Sequence, residues 1–265
     1  MKRLPVITSD VTINKIEVWV TNKTTNFEQA RNIVALTDLG EPVSYSGQFT
    51  VAAGPGSNYP RNGLNSAYEE LTTTYDAIRD IKNATGELNS AGLRLGADYE
   101  KIENARMLSP REYDYNDKLG FISLNSALNT DEVLAVAYEY TYRGQTYQVG
   151  ELSGSSGISA PQTLILKLLK PSSFAPRSYT WDLMMKNVYA IGAFQVQEED
   201  FTLDVMYRDD QTGNNINYLP EGELNKTTLL SLMNLDNMNS QRDPYPDGVF
   251  DFLRGITILP GNGRV

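Results

Sequence analysis

The chain has 265 residues, of which 40% are hydrophobic, and it carries a net charge of −10 at pH 7. This length and composition predict a globular protein with a sizeable core. The negative charge disfavours a nucleic-acid partner and an anionic membrane surface, because both attract basic surfaces. The chain contains neither cysteine nor histidine, which excludes disulfides and thiolate chemistry and removes the commonest general base.

No stretch of the sequence reaches the roughly 20 consecutive apolar residues of a membrane-spanning helix. The opening residues, Lys2-Arg3-Leu4-Pro5, are followed by alternating polar residues rather than by the continuous apolar core of a signal peptide. If the protein is exported, we therefore expect its signal to lie outside this segment.

The first predicted strand covers Val11 to Val20. Its apolar residues change parity near Asn14-Lys15, which a β-bulge would explain, because one extra residue returns the apolar side chains to the same face. A second, shorter strand is predicted in ARNIVALTDLGEP, ended by its glycine and proline. The stretch 54–63, rich in glycine, proline and asparagine, is predicted to be a loop.

A helix is predicted from Ser66 to Thr85. Ser66 and Glu69 have the spacing of a capping box, and Gly86 stands where a helix often ends on glycine. Apolar residues recur at spacings of three and four, as in an amphipathic helix. This stripe consists of Tyr68, Leu71, Tyr75, Ile78 and Ile81. We expect it to be buried against a sheet.

A second, shorter helix is predicted over residues 98–107. Asp98 would be its N-cap, because a short carboxylate side chain can accept the first unpaired backbone N–H groups of a helix. The stretch between Gly86 and Gly96 is predicted to be a loop.

The clearest strand pair lies between Leu134 and Val149. Its first strand alternates with a period of two, as a half-buried strand does. One face consists of Leu134, Val136, Tyr138, Tyr140 and Tyr142, and the other of Ala135, Ala137, Glu139 and Thr141. Arg143-Gly144 then reverses the chain, since glycine accepts a positive φ. Tyr147 and Val149 continue the apolar face on the return strand.

Small residues dominate the stretch 150–162, which fits either a domain linker or a long hairpin loop. A strand is predicted at 164–169 and a short helix at 181–191. Alternation over 201–207 predicts another strand, which a turn at 209–213 reverses.

These elements predict a mainly β fold, in the form of an antiparallel β-sandwich-like module with one amphipathic helix and one or two short helices. Residues 1–265 are expected to form a single β-rich module. Within it, the small-residue stretch 153–162 is the candidate for an internal boundary.

No catalytic residues are predicted. Acidic residues that are adjacent in sequence, such as Glu69-Glu70 and Asp209-Asp210, point apart rather than converge on a substrate, so a solvated acidic face or a turn is favoured over a glycosidase-type pair. Ser155 and Ser156 have no base to activate them. The sequence therefore indicates that the protein is not an enzyme.

One cluster is a candidate calcium site. Three aspartates surround a glycine with the spacing of the first, fifth and ninth positions of an EF-hand loop. They are Asp243, Asp247 and Asp251. Asp236 and Asn239 could add oxygens, but Arg254 stands where that loop requires a glutamate. A plain turn at Pro-Asp-Gly is favoured over a metal site, and calcium is the only cofactor that the sequence suggests.

The two tryptophans raise an alternative function, because exposed aromatic rings stack on sugars. Trp19 lies in a predicted strand and faces core or solvent depending on the register. Trp181 opens an apolar segment that is typical of packing. A cell-surface module that binds a ligand such as a glycan is therefore kept as the alternative.

Long blocks throughout the chain are similar to one family. They are SDVTINKIEVWVTN near the start, the hairpin segment 104–152, TLILKLLKP (163–171), TWDLMMKNVYAIGAFQVQEEDFTLDVMY (180–207), INYLPEG (216–222) and LDNMNSQRDPYPDGVFDFLRGITILPGNGR near the end. From about Val6 to Arg264 the sequence thereby resembles the SprA/Sov family. Its members are very large outer-membrane proteins of the gliding-motility and type IX secretion machinery.

This resemblance implies that the chain is an internal module of a much longer translocon protein. The implied role is structural and partner-binding, and no catalytic residue carries over, because the family is not one of enzymes. The implied partners are other translocon subunits, the remainder of the parent chain and secreted proteins in transit. The implied location is the bacterial outer membrane, as a soluble part on its periplasmic or extracellular side.

Overall fold

The structure is a computed structural model that describes residues 9–51, 59–173, 175–220, 222–225 and 227–265. The chain folds as two compact units, a larger one of Asp10–Met185 and a smaller one that contains Lys186–Val265. The stretch 153–162, the candidate for an internal boundary, lies within the larger unit. Of the loop predicted at 54–63, residues 54–58 lie outside the described residues.

The protein is mainly β, as the sequence predicts. The strands of the larger unit are β1 (Val11–Val20), β2 (Arg31–Leu36), β3 (Tyr99–Met107), β4 (Tyr113–Asn116), β5 (Phe121–Leu124), β6 (Leu134–Tyr142), β7 (Gln145–Val149) and β8 (Leu164–Lys170). Its helices are α1 (Ala67–Thr73) and α2 (Ile81–Ser90), with 3₁₀ turns at Asn62–Leu64, Asp76–Arg79 and Tyr179–Leu183. The smaller unit contains β9 (Tyr207–Arg208), β10 (Asn215–Ile216), α3 (Leu229–Leu232) and a 3₁₀ turn at Gly222–Leu224.

Five strands of the larger unit close into a ring in the order β1-β3-β2-β8-β6, with β6 pairing back to β1. Neighbours in the ring are antiparallel except β2 and β8, which run parallel. The bulge predicted near Asn14-Lys15 is confirmed, because the register of β1 shifts between Ile13 and Lys15. Bulges bend a strand, which closure of a sheet requires. The core of this unit is thus enclosed by one curved sheet, whereas the sequence predicted a sandwich-like arrangement.

The interior of the ring is filled by alternating side chains of its strands. This cluster includes Trp19, Ile33, Ala35, Ile102, Ala105, Ala135, Ala137, Leu164, Leu166 and Leu168. Trp19 therefore faces the core and is only 1% exposed. Small alanine side chains surround the large indole group of Trp19, as expected inside a narrow closed sheet. The less apolar face of β6 is accordingly its inward face.

Part of the outer face of the ring is covered by α1, α2 and the turn between them. Leu71 and Ile78 are fully buried in this layer, and Tyr68 and Tyr75 pack partly buried against it. Burial of the predicted stripe is thus confirmed. The prediction of one continuous helix is wrong: the backbone leaves helical geometry at Tyr75 (φ −114°, ψ 38°) and at Asp80 (φ −92°, ψ 115°).

The predicted start is confirmed, because Ser66 is the N-cap residue of α1, but the capping box and the predicted end are wrong. The Ser66 hydroxyl accepts a hydrogen bond from the Thr50 N–H instead of forming a capping box. A side-chain cap is found at Asp80, which accepts from the Lys82 N–H and starts α2. Gly86 lies inside α2, which continues to Ser90 through part of the predicted loop.

Residues 98–107, predicted as a short helix, are a strand. The side chains of Ile102 and Ala105 both enter the ring interior although they are three positions apart. The register shift between β2 and β3 explains this spacing, because Ile33 pairs with Ile102 while Arg31 pairs with Ala105. Because of the extra residue of this bulge, two inward-facing side chains are three positions apart, which is the spacing expected on one face of a helix.

The β4–β5 hairpin covers another part of the outer face. It packs with β1 and β6 in a cluster of Val18, Val20, Tyr113 and Val136, joined by Ile122 and Leu124. This hairpin was not predicted from the sequence, since its strands have only four residues each.

The stretch 150–162 connects β7 to β8 and is anchored to the ring. Leu152 and Ile158 pack with the interior cluster. The Ser153 N–H and hydroxyl donate to the Glu17 carboxylate at 2.9 to 3.0 Å, and Arg31 Nη2 donates to the Ile158 carbonyl at 2.7 Å. The sequence allowed either a domain linker or a long loop for this stretch, and it is a long loop within the larger unit.

The smaller unit has a core of Leu230, Phe250 and Ile258. The strand predicted over 201–207 is wrong except at its end, since only Tyr207–Arg208 pairs, with Asn215–Ile216. Alternate side chains from Phe201 to Val205 nevertheless pack on that core. The helix predicted at 181–191 is also wrong, because only a 3₁₀ turn forms, at Tyr179–Leu183.

Among the described residues, no helix combines the length and apolarity needed to cross a membrane.

Candidate functional site

A polar cleft of about 430 Å³ lies beside β7 in the larger unit. Its walls are the turn that starts the helical layer, the first turn of α1, β7 itself and the loop after it. The lining residues are Arg61, Asn62, Gly63, Tyr68, Thr146, Tyr147, Gln148, Glu151, Ser155 and Ser156. We call it the β7 cleft.

The strand β7 is an edge strand. Its ladder partner is β6, and the order of the sheet ends with it. Arg143 (φ 49°) and Gly144 (φ 77°) form a two-residue turn of the primed type, so the flanking pair Tyr142–Gln145 is hydrogen-bonded. Along the hairpin, hydrogen-bonded and non-hydrogen-bonded residue pairs then alternate. The backbone groups of residues 146, 148 and 150 consequently point away from β6, towards the cleft.

The outward groups of Gly150 are already paired, by side chains. Asn62 Nδ2 donates to the Gly150 carbonyl at 3.3 Å, and the Gly150 N–H donates to Asn62 Oδ1 at 2.7 Å. The Gly150 carbonyl also accepts from Gln148 Nε2 at 2.8 Å, so two side chains close this end of the edge, just after β7. Thr146 and Gln148 have no such partner for their backbone groups among the described residues.

The floor of the cleft is held by a buried ion pair. Glu151 is 1% exposed. Its carboxylate accepts from Arg79 Nη1 and Nη2 at 2.7 and 2.6 Å, from the Tyr68 hydroxyl at 2.9 Å and from the Ile165 N–H at 2.8 Å. Four donors on one carboxylate offset the cost of burying its charge. Glu151 therefore joins the helical layer, the cleft and β8.

The polar groups of the cleft are arranged for binding rather than for proton transfer. Burial, together with the neighbouring Glu151 carboxylate, raises the pKa of Tyr68 to about 12, so its hydroxyl stays protonated at neutral pH and donates to Glu151. The Ser156 hydroxyl accepts from the Ile158 N–H. No nucleophile in the cleft is paired with a base among the described contacts. The cleft can offer hydrogen bonds and an aromatic ring to a ligand, beside the positive charge of Arg61.

A row of tyrosine rings supports the outer face of the hairpin. Tyr140 and Tyr147 stack across the ladder with centroids 5.3 Å apart, and Tyr59 contacts both Tyr142 and Tyr147 at 4.7 and 5.9 Å. The Tyr140 hydroxyl donates to the Pro60 carbonyl at 2.9 Å. These contacts fix the wall of the β7 cleft, because they tie residues 59–60 to the hairpin.

A second cavity of about 670 Å³ lies at the start of α2. Its lining includes Ala77, Ile81 and Pro161. The Asp80 side chain caps the first turn of the helix there, so the helix end does not offer a free anion site.

The three aspartates predicted as metal ligands lie in the smaller unit, and their oxygens accept hydrogen bonds. Asp243 Oδ2 accepts from the Asn239 side chain, Asp247 accepts the N–H groups of residues 240 and 249, and Asp251 Oδ2 accepts the Asn237 N–H at 2.6 Å. Burial and the charges of neighbouring aspartates raise the pKa of Asp251. Among the described residues, no group of three or more acidic residues could hold a metal ion. Calcium binding stays a prediction.

Asp236, considered as a further ligand, organises the same loop. It is 1% exposed. Its Oδ1 accepts the Asp247 N–H at 3.0 Å, and its Oδ2 accepts the Gly248 N–H at 3.2 Å and the Ser231 hydroxyl at 2.8 Å. The aspartates thus satisfy backbone donors in a loop that has no ladder of its own.

Neither tryptophan lies in the cleft. The ring of Trp19 is buried and its Nε1 donates to Glu17 at 3.2 Å. Trp181 is half-buried in the 3₁₀ turn at Tyr179–Leu183. Trp19 is therefore excluded as a sugar platform.

The sequence did not identify Asn62 or Glu151 as site residues, and it indicated Tyr68 only as part of the apolar stripe. The signal for Glu151 was weak: a lone acid between Gly150 and Leu152, immediately after an apolar strand end. Asn62 had no signal, since its role depends on a strand 88 residues away in sequence. Compared with models of known protein families and with curated protein sequences, the chain matches none.

Proposed function

We propose that this chain is a non-enzymatic structural and partner-binding module of an outer-membrane type IX protein-secretion translocon linked to gliding motility. The translocon assignment is supported by the resemblance of blocks spread from about Val6 to Arg264. The partner-binding role is supported by one structural observation, the β7 cleft. There, unpaired backbone groups of an edge strand face a groove with a preformed polar wall.

A binding role fits the chemistry of the cleft better than catalysis. The Glu151 carboxylate, the one buried acid in the lining, already accepts four hydrogen bonds. Such a carboxylate is poorly placed to act on a substrate, because its oxygens are occupied by these donors and it is only 1% exposed. Edge strands with open backbone groups are, in contrast, a common site for recruiting another chain.

The partners in this proposal are other translocon subunits, the remainder of the parent chain and secreted proteins in transit. The location is the bacterial outer membrane, with the module outside the bilayer on the periplasmic or extracellular side. No nucleic acid and no cofactor form part of the proposal.

The test is genetic. In the bacterium that encodes this chain, disruption of its reading frame should stop export of type IX substrates, so that they accumulate in the periplasm, and should stop gliding. Restoring the unaltered frame should restore both. A periplasmic enzyme exported by another route is the control and should be unaffected. Normal export and gliding in the disrupted strain would overturn the proposal.

The second candidate is a cell-surface glycan-binding module, for which the sequence analysis expected a β-sandwich. One observation favours it: Tyr147 presents a half-buried ring beside the amides of Asn62 and Gln148. Sugar sites use this combination of ring and amides. Binding of a polysaccharide that is lost in Tyr147→Ala but kept in Tyr115→Ala, an exposed ring outside the cleft, would establish this candidate. A screen of neutral and acidic glycans without binding would remove it.

A further inference from the structure

We propose that the β7 cleft binds an extended polypeptide segment, which adds as a strand to the free edge of β7. This inference rests on the proposed partner-binding function and deepens it by naming the class of ligand and the atoms that bind it. It needs nothing from the assignment to a particular secretion system.

The edge offers a regular set of backbone groups. Thr146 and Gln148 are the strand positions whose N–H and C=O groups point away from β6, and such groups are spaced two residues apart. Both have unpaired backbone groups among the described residues, whereas Gly150, which follows the end of β7 with φ 74°, is engaged by side chains. The open edge from Thr146 to Gln148 is about 7 Å long, which is the rise of two residues of an added strand.

The Asn62 carboxamide marks the end of this edge, because it binds the residue that follows β7. It makes both bonds to Gly150, one as donor and one as acceptor, at 3.3 and 2.7 Å. A polypeptide entering beside Thr146 and Gln148 would pair with this edge, with Asn62 closing its end. The two outward positions then gain the kind of ladder partners that strands inside the ring already have.

The surroundings select a single chain rather than another sheet. Residues 61–63 and Tyr68 form a wall opposite β7, so that the cleft is a groove and not an open edge. A second copy would bring its own wall at Asn62 against the first. The buried Glu151 is neutralised by Arg79, and the remaining lining consists of hydroxyl, amide and aromatic groups together with the cation Arg61. The ligand is therefore an extended segment without basic side chains.

The absence of cysteine from the chain makes a direct test simple. Ser155 is exposed and lines the cleft, and Ser155→Cys gives one thiol. The probe is a heptapeptide of one cysteine followed by three Thr-Val pairs, joined to the protein as a mixed disulfide. Binding is read as the mercaptoethanol concentration that halves the mixed disulfide.

Two N-methylated versions of the heptapeptide decide the binding mode. One carries N-methyl groups at odd positions and the other at even positions. In an added strand only one set of N–H groups faces β7, so one version should lose about tenfold in tethering strength and the other should match the unmethylated peptide. Equal strength for all three peptides, or an equal loss for both methylated ones, would overturn the proposal.

A pair of protein variants tests the same edge from the other side, each made in the Ser155→Cys background. Gln148→Pro removes the outward N–H while keeping the bonds to β6, which come from residues 145, 147 and 149. Gln148→Ala removes the same side chain but keeps the N–H. Since both variants lose the side chain, we expect tethering to be about tenfold weaker in the proline variant than in the alanine variant. Equal tethering in the two variants would contradict strand addition.

The peptide series with Gln148 retained distinguishes the binding modes even if the proline variant fails to fold. It is also separate from the genetic test. Selective loss with one methylated peptide, together with normal export in the disrupted strain, would sustain strand addition and overturn only the secretion assignment. If neither methylated peptide were selectively weakened and export failed in the disrupted strain, strand addition would be overturned and the secretion assignment would be sustained.

Discussion

The two compact units solve the pairing of backbone groups in different ways. In the larger unit, strands of up to ten residues share ladders around a closed ring. In the smaller unit, β9 and β10 have two residues each and α3 has four. Most of its backbone donors bond to carbonyls in turns and isolated bridges, and aspartate and asparagine side chains accept others, with Asp236 as the best example.

Two segments with the same sequence pattern show what this difference means. Leu134–Tyr142 and 201–207 both alternate with a period of two. The first has ladder partners on both sides and is a strand. The second packs Phe201, Leu203 and Val205, partly buried, on the core of its unit but pairs only at its end. Alternation therefore predicts which side chains are buried, whereas a strand also needs a neighbour of matching length.

The largest effect is expected when the buried ion pair of the larger unit is broken. Arg79→Ala leaves the Glu151 charge buried without its partner, which should lower the free energy of unfolding by about 3–5 kcal/mol. Urea unfolding followed by tryptophan fluorescence, to which the buried Trp19 and the half-buried Trp181 contribute, measures this. The matched control is Lys23→Ala, whose pair with Asp131 is exposed and screened by solvent, so its loss should leave the unfolding curve close to that of the unaltered protein. Similar losses in the two variants would contradict the argument.

The helical layer gives the next effect. Leu71 is fully buried against the ring, so Leu71→Ala should cost about 2–5 kcal/mol through lost apolar burial and a residual cavity. The same unfolding measurement applies. Leu95→Ala serves as the control, because that side chain is 58% exposed. A cost near zero at Leu71 would mean that the layer does not support the ring.

In the smaller unit, removal of one side chain should open one loop. Asp236→Ala leaves the N–H groups of Asp247 and Gly248 without acceptors, which should cost about 1–3 kcal/mol locally. Hydrogen exchange of these two amides should then accelerate about tenfold to a hundredfold. Asp210→Ala, at an exposed turn, is the control. Unchanged exchange in the Asp236 variant would show that the loop is held by other contacts.

The smallest effect is expected from calcium. The carboxylates of Asp243, Asp247 and Asp251 already accept hydrogen bonds within the loop, so we expect coincident thermal unfolding curves in chelator and in millimolar calcium. A metal bound to the folded state would raise the midpoint with the calcium concentration. A rise that disappears in Asp247→Asn would establish the calcium site and refute this expectation.

Much of the larger unit followed from local patterns. The β6–β7 hairpin, β8, β2 and the bulge of β1 are where the sequence predicts them, because each depends on alternation, a reversing glycine or a single change of parity. The buried stripe of the helical layer also followed from spacing. The breaks at Tyr75 and Asp80 did not, because the stripe continues through them with the same spacing.

The candidate site was scarcely predictable. Tyr147 was placed correctly on the return strand of the hairpin, and its neighbours Thr146 and Gln148 with it. That β7 is an edge, and that Asn62 pairs with Gly150, depends on which strands close the ring. Such pairings join residues far apart in the chain, and no local pattern records them.

The sequence by itself therefore determined the mainly β class, the hairpin turn and the side chains that enter the cores, because these depend on side-chain period and on backbone freedom at single residues. Tertiary structure decided the closure of the ring and the conversion of residues 98–107 from a predicted helix into β3. It also decided the burial of Glu151 against Arg79 and the open edge of β7. The physical reason is that ladder pairing and the neutralisation of a buried charge are interactions between distant segments, which outweigh local preferences only when the whole fold brings them together.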